Sequence, residues 1–508
     1  MILRLLILSL LCFGLKAQNI SVDDLVFSND FEEKYIREFK EQSNFLALLL
    51  ASSGRGNEEL LKNSEQRLEE IYQSLKPEKL QNKSAKKKIK KIFKTVQNDL
   101  FVRYSLENEF IEVFETGRYN CVSSTAIYAL FLEKFNIQYI ITQEPEHVYL
   151  TAVFEDLNIL MEGTDPQGGF LPLTDKLIEA QINSLINRKL ITLEELNSPD
   201  AGKILDEMFP SNEINLEQLI GVQYENMMVY DFENDNYKSS YENGMKALYF
   251  YDCERFRNSL FASAVAYMEQ MGFEDENYAK VLATLEKLDS SQTHIEEINR
   301  LVLLGLASLQ IENKENEFKR LNKQLEKELS HPQVKKSLKL SYALLVSELY
   351  FKKGKIDSSF FYANLAMELD SSNLYAPDLL MNSLFKKMDL NNFHRPSDTL
   401  LHYYSKYKVY RENEIYLNTF LSVILVDARA EVLLKNYSKA KYYLSRFEEL
   451  AQKHPNITIR NGIVAEAYSK VAMYEFNRNR SKALKTINRG LKYAPNSIDL
   501  RKIKAMMQ

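Results

Sequence analysis

The chain has 508 residues, 45% of them hydrophobic, which is enough to bury two or three cores, and length alone suggests about three domains. A net charge of −5 is nearly balanced and gives no reason to expect a nucleic-acid partner, while abundant aromatics beside 15 glycines and 11 prolines argue against long disordered tracts. Three cysteines are too few for a disulfide framework, and the histidines at 294, 331, 394, 402 and 454 are scattered without ligand spacing, so no metal site is suggested.

Residues 1–17 combine a short basic start at Arg4, an apolar run (LLILSLLCFGL) and a small residue, Ala17, before Gln18, the pattern of a secretory signal peptide. Cys12 is a poor lipidation site because bulky Leu11 precedes it, and no later stretch is long and apolar enough for a membrane span. The expectation is an exported protein, periplasmic or secreted. Cleavage leaves only Cys121 and Cys253, and a disulfide between them would block any thiol chemistry at Cys121.

Residues 20–116 read as helical. Phe31–Ser52 carries an apolar face, and Glu58–Leu75 alternates charge as a solvated helix does. The lysines at 86, 87, 88, 90, 91 and 94 invite an anionic partner, yet Ile89, Ile92, Phe93, Val96 and Leu100 fall at helical spacing between them, so the run reads as the wet face of a helix. These helices are expected to prop the next one from behind.

That next helix begins at Cys121. Asn120 is a good N-cap, and the run CVSSTAIYALFLEKF (121–135) is almost wholly apolar after Thr125, so the thiol sits in the first turn of a buried helix. The positive end of the helix dipole and unpaired backbone N–H groups there favour thiolate. Ile137–Thr142, Val148–Phe154 and Asn158–Met161 are β-branched or aromatic enough to be strands, with His147 at the mouth of the second and Glu162 and Asp165 just past the third. A helix N-terminus facing a small antiparallel sheet could bring the imidazole to the sulfur, with a carboxylate beyond it to fix the tautomer. Singly, each residue has a plainer reading, a small core cysteine and a satisfied polar histidine. Together they are more specific, because His147 is the only histidine in the first 290 residues.

At these positions the chain resembles the transglutaminase-like superfamily, relatives of the papain-type cysteine proteases, in its bacterial branch with tetratricopeptide repeats downstream. Asn120-Cys121-Val122-Ser123, His147-Val148, Asp165-Pro166 and Gly168-Gly169 carry the resemblance, which covers roughly residues 85–175. It implies a cysteine, histidine and aspartate triad at Cys121, His147 and Asp165. Glu162 is the alternative acid, since Glu162-Gly163-Thr164 can be laid over the D-P-T of ordinary transglutaminases. No glutamine precedes Cys121 in the papain oxyanion-hole manner, so a second oxyanion donor stays unassigned.

After a helical segment at Asp175–Arg188, an acidic, Asn-rich passage from Asn212 to Tyr241 reads as a surface crossing, which sets the boundaries at 1–17, 18–235 and 236–508. Beyond it a period near 34 points to helical repeats of tetratricopeptide type. In Leu340–Ser371 the small and turn positions fall on Ser347, Gly354, Ser359 and Ala366; the last unit offers Ala483, Gly490 and Pro495, and Ala430–Pro455 adds a pair with Ala440, Leu444 and Phe447 on one face. Such pairs stack into a solenoid that binds a protein or peptide or merely buttresses its neighbour. The tyrosines and basic residues of YYSKYKVYR (403–411) form a possible contact stripe. The expected fold class is an α+β transglutaminase-like domain followed by an all-α solenoid. Two functions follow: a thiol-dependent hydrolase or acyltransferase acting on protein or peptide amides without a small-molecule cofactor, or an inactive exported scaffold for protein interactions.

Overall fold

In the computed structural model, which describes residues 20–508 apart from 156, 189, 197, 199–210, 289–291 and 390–394, asparagine opens each of the first three helices. The expected signal peptide with Cys12, and His394, lie outside the described residues. The side chains of Asn29, Asn44 and Asn57 accept the N–H of Glu32, Ala47 and Leu60 at 2.9–3.0 Å and so start α1 (Asp30–Glu38), α2 (Phe45–Ala51) and α3 (Glu58–Ser74). The apolar face expected along Phe31–Ser52 is therefore broken in two at Asn44, and its second piece is buried at every residue from Leu46 to Ala51. Short α4 (Pro77–Gln81) leads to α5 (Ala85–Leu100), where Lys86, Lys87, Lys90, Lys91 and Lys94 are exposed while Ile89, Ile92, Phe93, Val96 and Leu100 are buried.

Two short parallel strands, β1 (Arg103–Tyr104) and β2 (Arg118–Tyr119), flank α6 (Glu112–Glu115) and deliver the chain to α7 (Cys121–Lys134). Ten residues of α7 are buried, and Phe93 of α5 stacks on its Tyr128 with ring centroids 5.2 Å apart. Then come β3 (Gln138–Gln143), β4 (Val148–Val153), β5 (Asn158–Met161), β6 (Phe170–Leu173), α8 (Asp175–Asn187), α9 (Leu193–Leu196) and β7 (Asn212–Ile214). The sheet runs β6-β5-β4-β3-β7 with every neighbour antiparallel. Val148, Leu150 and Ala152 alternate into the core beneath α7, and Thr125 Oγ1 donates to the Val148 carbonyl at 3.2 Å. Three of these strands are legible in the sequence. β6 and β7 are not, because β6 carries Pro172, which an edge strand tolerates, and β7 is three residues inside a polar passage.

The surface crossing expected between 212 and 241 is instead a core helix. α10 (Leu216–Glu233) buries Leu216, Leu219, Ile220, Val222, Tyr224 and Met228; Gln218 shares the cap with Asn215, and the buried Gln223, Tyr224 and Glu225 bond to Asn108, Glu32 and Arg255. Paired helices begin here, with α11 (Tyr237–Phe250), α12 (Glu254–Met271), α13 (Tyr278–Leu288) and α14 (Gln292–Ile311). The chain divides into two compact units, 1–295 and 296–508, the division falling within α14.

The second unit is all helical: α15 (Glu315–Glu328), α16 (Pro332–Lys352), α17 (Ile356–Leu369), α18 (Ala376–Asp389), α19 (Pro396–Lys406), α20 (Glu414–Leu433), α21 (Tyr437–Lys453), α22 (Asn461–Phe476), α23 (Arg480–Tyr493) and α24 (Ile498–Met507). Small residues sit where helices approach most closely. Ser347 Oγ donates to the Ser359 carbonyl at 2.9 Å, Ser359 meets Ser383 at 3.0 Å, and a Cβ on Gly490 would lie 2.8 Å from the Tyr468 ring. The same tie appears in the first unit, where Ser240 Oγ donates to the Met228 carbonyl and meets Ser263 Oγ, both at 2.8 Å. Within the expected contact stripe at 403–411 the basic residues Lys406, Lys408 and Arg411 are exposed, but three of the tyrosines are core: Tyr403, Tyr407 and Tyr410 are buried, and Tyr410 stacks on Tyr416 at 4.4 Å. Among the described residues no helix is long and apolar enough to cross a membrane.

One buried ion pair ties α1 to α11. Lys246 Nζ lies 2.8 and 2.9 Å from the two carboxylate oxygens of Glu32, Tyr224 donates to that carboxylate at 2.9 Å, and both charged side chains are at most 2% exposed. Removing one partner strands the other charge, so Lys246→Met is expected to destabilise the fold by about 3–5 kcal/mol, and Lys246→Met with Glu32→Met by much less. Denaturant midpoints of the single and double variants measure the difference.

Candidate active site

The position of Cys121 is set by a cap. Asn120 Oδ1 accepts the Ser123 N–H at 2.9 Å, and Ser123 Oγ accepts the Asn120 N–H at 2.9 Å, a reciprocal box that fixes the first turn of α7. Ser123 Oγ also donates to Asn108 Oδ1 at 2.8 Å, and Asn108, fully buried, donates to the Arg118 carbonyl at 3.0 Å. Ser124 Oγ closes on the Asn120 carbonyl at 2.7 Å. Asn120, Ser123 and Ser124 are thus all consumed in holding the turn. Cys121 itself is partly exposed and unpaired, as is Cys253 at the start of α12. The N–H groups of Cys121 and Val122 lie ahead of the first intrahelical hydrogen bond, in the positive field of the helix end.

His147 stands at the exit of the β3–β4 hairpin, where Glu144 N–H donates to its carbonyl at 2.8 Å and Pro145-Glu146 form the tip. Its Nε2 is 2.5 Å from Glu162 Oε2, which leaves Nδ1 as the ring nitrogen available to the sulfur. The second oxygen of Glu162 is held by Thr164, from Oγ1 at 2.6 Å and from N–H at 3.0 Å. Cys121 is the largest influence on the imidazole and Glu162 the next; together they outweigh burial and push the His147 pKa up to about 10. For Glu162, burial opposes ionisation, but the hydrogen bonds from His147 and Thr164 prevail and hold the carboxyl below its usual range. Tyr104, half exposed on β1, borders the same spot, its hydroxyl raised by burial first and then by Cys121 and Glu162.

The residue that reaches His147 is therefore Glu162. Asp165, expected from the resemblance to orient the imidazole, is turned into its own loop, with Oδ1 accepting from Gln167 N–H at 3.1 Å and Gly168 N–H at 2.8 Å. Strand register explains why. β4 and β5 pair Leu150 with Met161, so the next pair sets Glu162 opposite Tyr149, one diagonal step from His147, whereas Asp165 falls in the β5–β6 turn beyond the ladder. The Asp-Pro-Gln-Gly-Gly stretch serves Glu162 indirectly. Glu162 N–H donates to the Gly169 carbonyl at 2.7 Å and Gly169 N–H to the Asp165 carbonyl at 2.8 Å, while a Cβ on Gly169 would lie 1.9 Å from the Glu162 carbonyl oxygen. Gly163 is equally constrained, since a Cβ there would fall 2.3 Å from Ser124 Oγ.

Sequence reasoning missed Thr164, Asn108 and two residues of α10. Tyr230 hydroxyl donates to the Leu106 carbonyl at 2.6 Å and lies 3.5 Å from Asn120 Nδ2, and Gln223 Nε2 donates to the Asn108 carbonyl at 3.4 Å. The Glu-Gly-Thr spacing could have pointed to Thr164, but nothing local marks residues more than a hundred positions from the cysteine. Among the described residues no group of three or more His, Cys, Asp or Glu side chains could hold a metal ion.

Because the folded pKa of His147 is raised, folding favours the imidazolium; that contribution is complete below an ordinary imidazole pKa of about 6.5 and is lost as pH rises through about 10. In an NMR titration Cys121→Ser is expected to lower the His147 midpoint most and Glu162→Gln to lower it less; an unchanged midpoint in both would contradict the geometry. No family model matches the chain, and no curated protein matches it.

Proposed function

We propose that the chain is an exported transglutaminase-like protein whose first unit carries out thiol-dependent acyl transfer or hydrolysis at protein or peptide amides, with tetratricopeptide-like helices that bind a protein partner. The single observation that carries this reading is the ordered set of Cys121 at a helix N-terminus, His147 coupled to it, and Glu162 on the far nitrogen of the ring. Such an arrangement is the minimum for nucleophilic catalysis by sulfur: an activated nucleophile, a proton carrier and a group that fixes the carrier's tautomer.

In this mechanism the Cys121 thiolate adds to the amide carbonyl carbon, and the oxyanion develops beside the N–H groups that open α7. The His147 imidazolium then gives its proton to the departing nitrogen, the C–N bond breaks, and a thioester remains on Cys121. Water or an amine, deprotonated by the now neutral imidazole, attacks the thioester and restores the thiolate and imidazolium pair. Glu162 stays ionised and stabilises the imidazolium between steps.

Two outcomes are expected. With iodoacetamide at neutral pH, Cys121 should be alkylated about tenfold or more faster than a free peptide thiol and ahead of Cys253, and His147→Ala should remove the advantage. Mass spectrometry of the labelled peptides reports both rates. Alkylation at the peptide-thiol rate contradicts the enzymatic reading and leaves an exported scaffold that uses both units for protein interaction. Where an assay with an acyl-donor peptide and an amine gives turnover, Glu162→Gln should lower kcat by roughly 10²-fold, in the range typical of lost acid-base assistance, and Asp165→Asn should lower it far less.

A further inference from the structure

The hairpin that carries His147 is gripped from outside the motif-bearing stretch. Arg255, the second residue of α12, donates from one terminal nitrogen to the Pro145 carbonyl at the hairpin tip, 2.6 Å away, and its other terminal nitrogen is ion-paired with Glu225 of α10. Glu225 is buried, with 11% of its side chain exposed, and the Arg255 guanidinium lies over the ring of Phe256, itself fully buried, 5.2 Å from the centroid. The same α10 carries Tyr230 and Gln223, which brace the segment capping Cys121. One helix thus holds the sulfur side through Tyr230 and Gln223, and the imidazole side through Glu225 and Arg255.

We propose that Arg255 is a positioning residue: by fixing the carbonyl at the hairpin tip to α10, it sets where His147 stands relative to Cys121. This rests on the reading of Cys121 and His147 as the reacting pair. The guanidinium suits the task because two of its N–H groups point in a rigid fork toward two different acceptors, which a lysine ammonium on a flexible stem does not reproduce. It also follows that the chemistry needs the first paired helices: a chain cut before α12 would keep every residue of the triad and lose the clamp.

The test is the titration midpoint of His147 in the full chain, read by NMR. Arg255→Met alone strands a buried carboxylate, so the informative variant is Arg255→Met with Glu225→Gln, which removes the clamp without leaving an unpaired charge. The expected result is a fall in the His147 midpoint of about one unit or more, tenfold in its proton equilibrium, with the thermal midpoint close to that of the wild type. Arg255→Lys, which keeps the charge but not the fork, should fall between. A His147 midpoint equal to that of the wild type in both variants overturns the inference. Failure of the functional reading is separate: it would appear as wild-type Cys121 alkylated no faster in the presence of His147 than without it, whatever the midpoint of the Arg255 variants.

Discussion

The hydrogen bond between His147 Nε2 and Glu162 Oε2 is the constraint on which the site depends. An imidazole has two nitrogens and can rotate; a carboxylate on one of them fixes both the ring plane and which nitrogen is left for chemistry. The carboxylate must itself be fixed, and here Thr164 takes its other oxygen while the backbone of the 162–169 turn closes beneath it. Gly163 and Gly169 are required at that point by space alone, since a side chain at either would drive into α7 or into the turn.

Convergence of the three groups is a property of topology. The sulfur comes from a helix end, the imidazole from the residue before β4 and the acid from the residue after β5, and the β4–β5 ladder, whose last pair is Leu150 with Met161, brings those two strand ends to the same side of the sheet. The helix end is capped by its own neighbours, Asn120 and Ser123, and the hairpin is closed by the Glu144 N–H on the His147 carbonyl, but neither fixes one against the other. α10 supplies the rigid reference for both, through Tyr230 and Gln223 on one side and Glu225 with Arg255 on the other. The buried Lys246 and Glu32 pair locks the first helix to α11, which packs directly on α10. Removing water from those charges makes the association of these elements sensitive to the loss of either partner.

Local features of the site were legible in the sequence. Asn120 as a cap, the apolar run after Thr125, and the β-branched and aromatic content of Val148–Phe154 each report directly on backbone geometry, and the small residues Ser347, Ser359 and Gly490 report on close helix approach. The choice of acid was not legible in the same way. Asp165 stands out because it is followed by Pro166 and two glycines, yet those residues make a turn, and the turn consumes the aspartate; only the register of β4 against β5 selects Glu162. α10 was misread for a related reason. Its Asn, Gln, Glu and Tyr residues look solvated by composition, but Asn215 is the helix cap, and Gln223, Tyr224 and Glu225 are buried polar groups with partners far away in sequence. Tyr403, Tyr407 and Tyr410 misled in the opposite direction, since tyrosine beside lysine looks like a contact surface and here the rings face inward.

The most direct measurement is the proton resonance of His147 Nε2–H, because a short hydrogen bond to an ionised carboxylate moves it far downfield. Such a resonance is expected in the wild type, to be lost in Glu162→Gln and to survive in Asp165→Asn. Absence of the resonance, or its survival without Glu162 and loss without Asp165, would contradict the arrangement described.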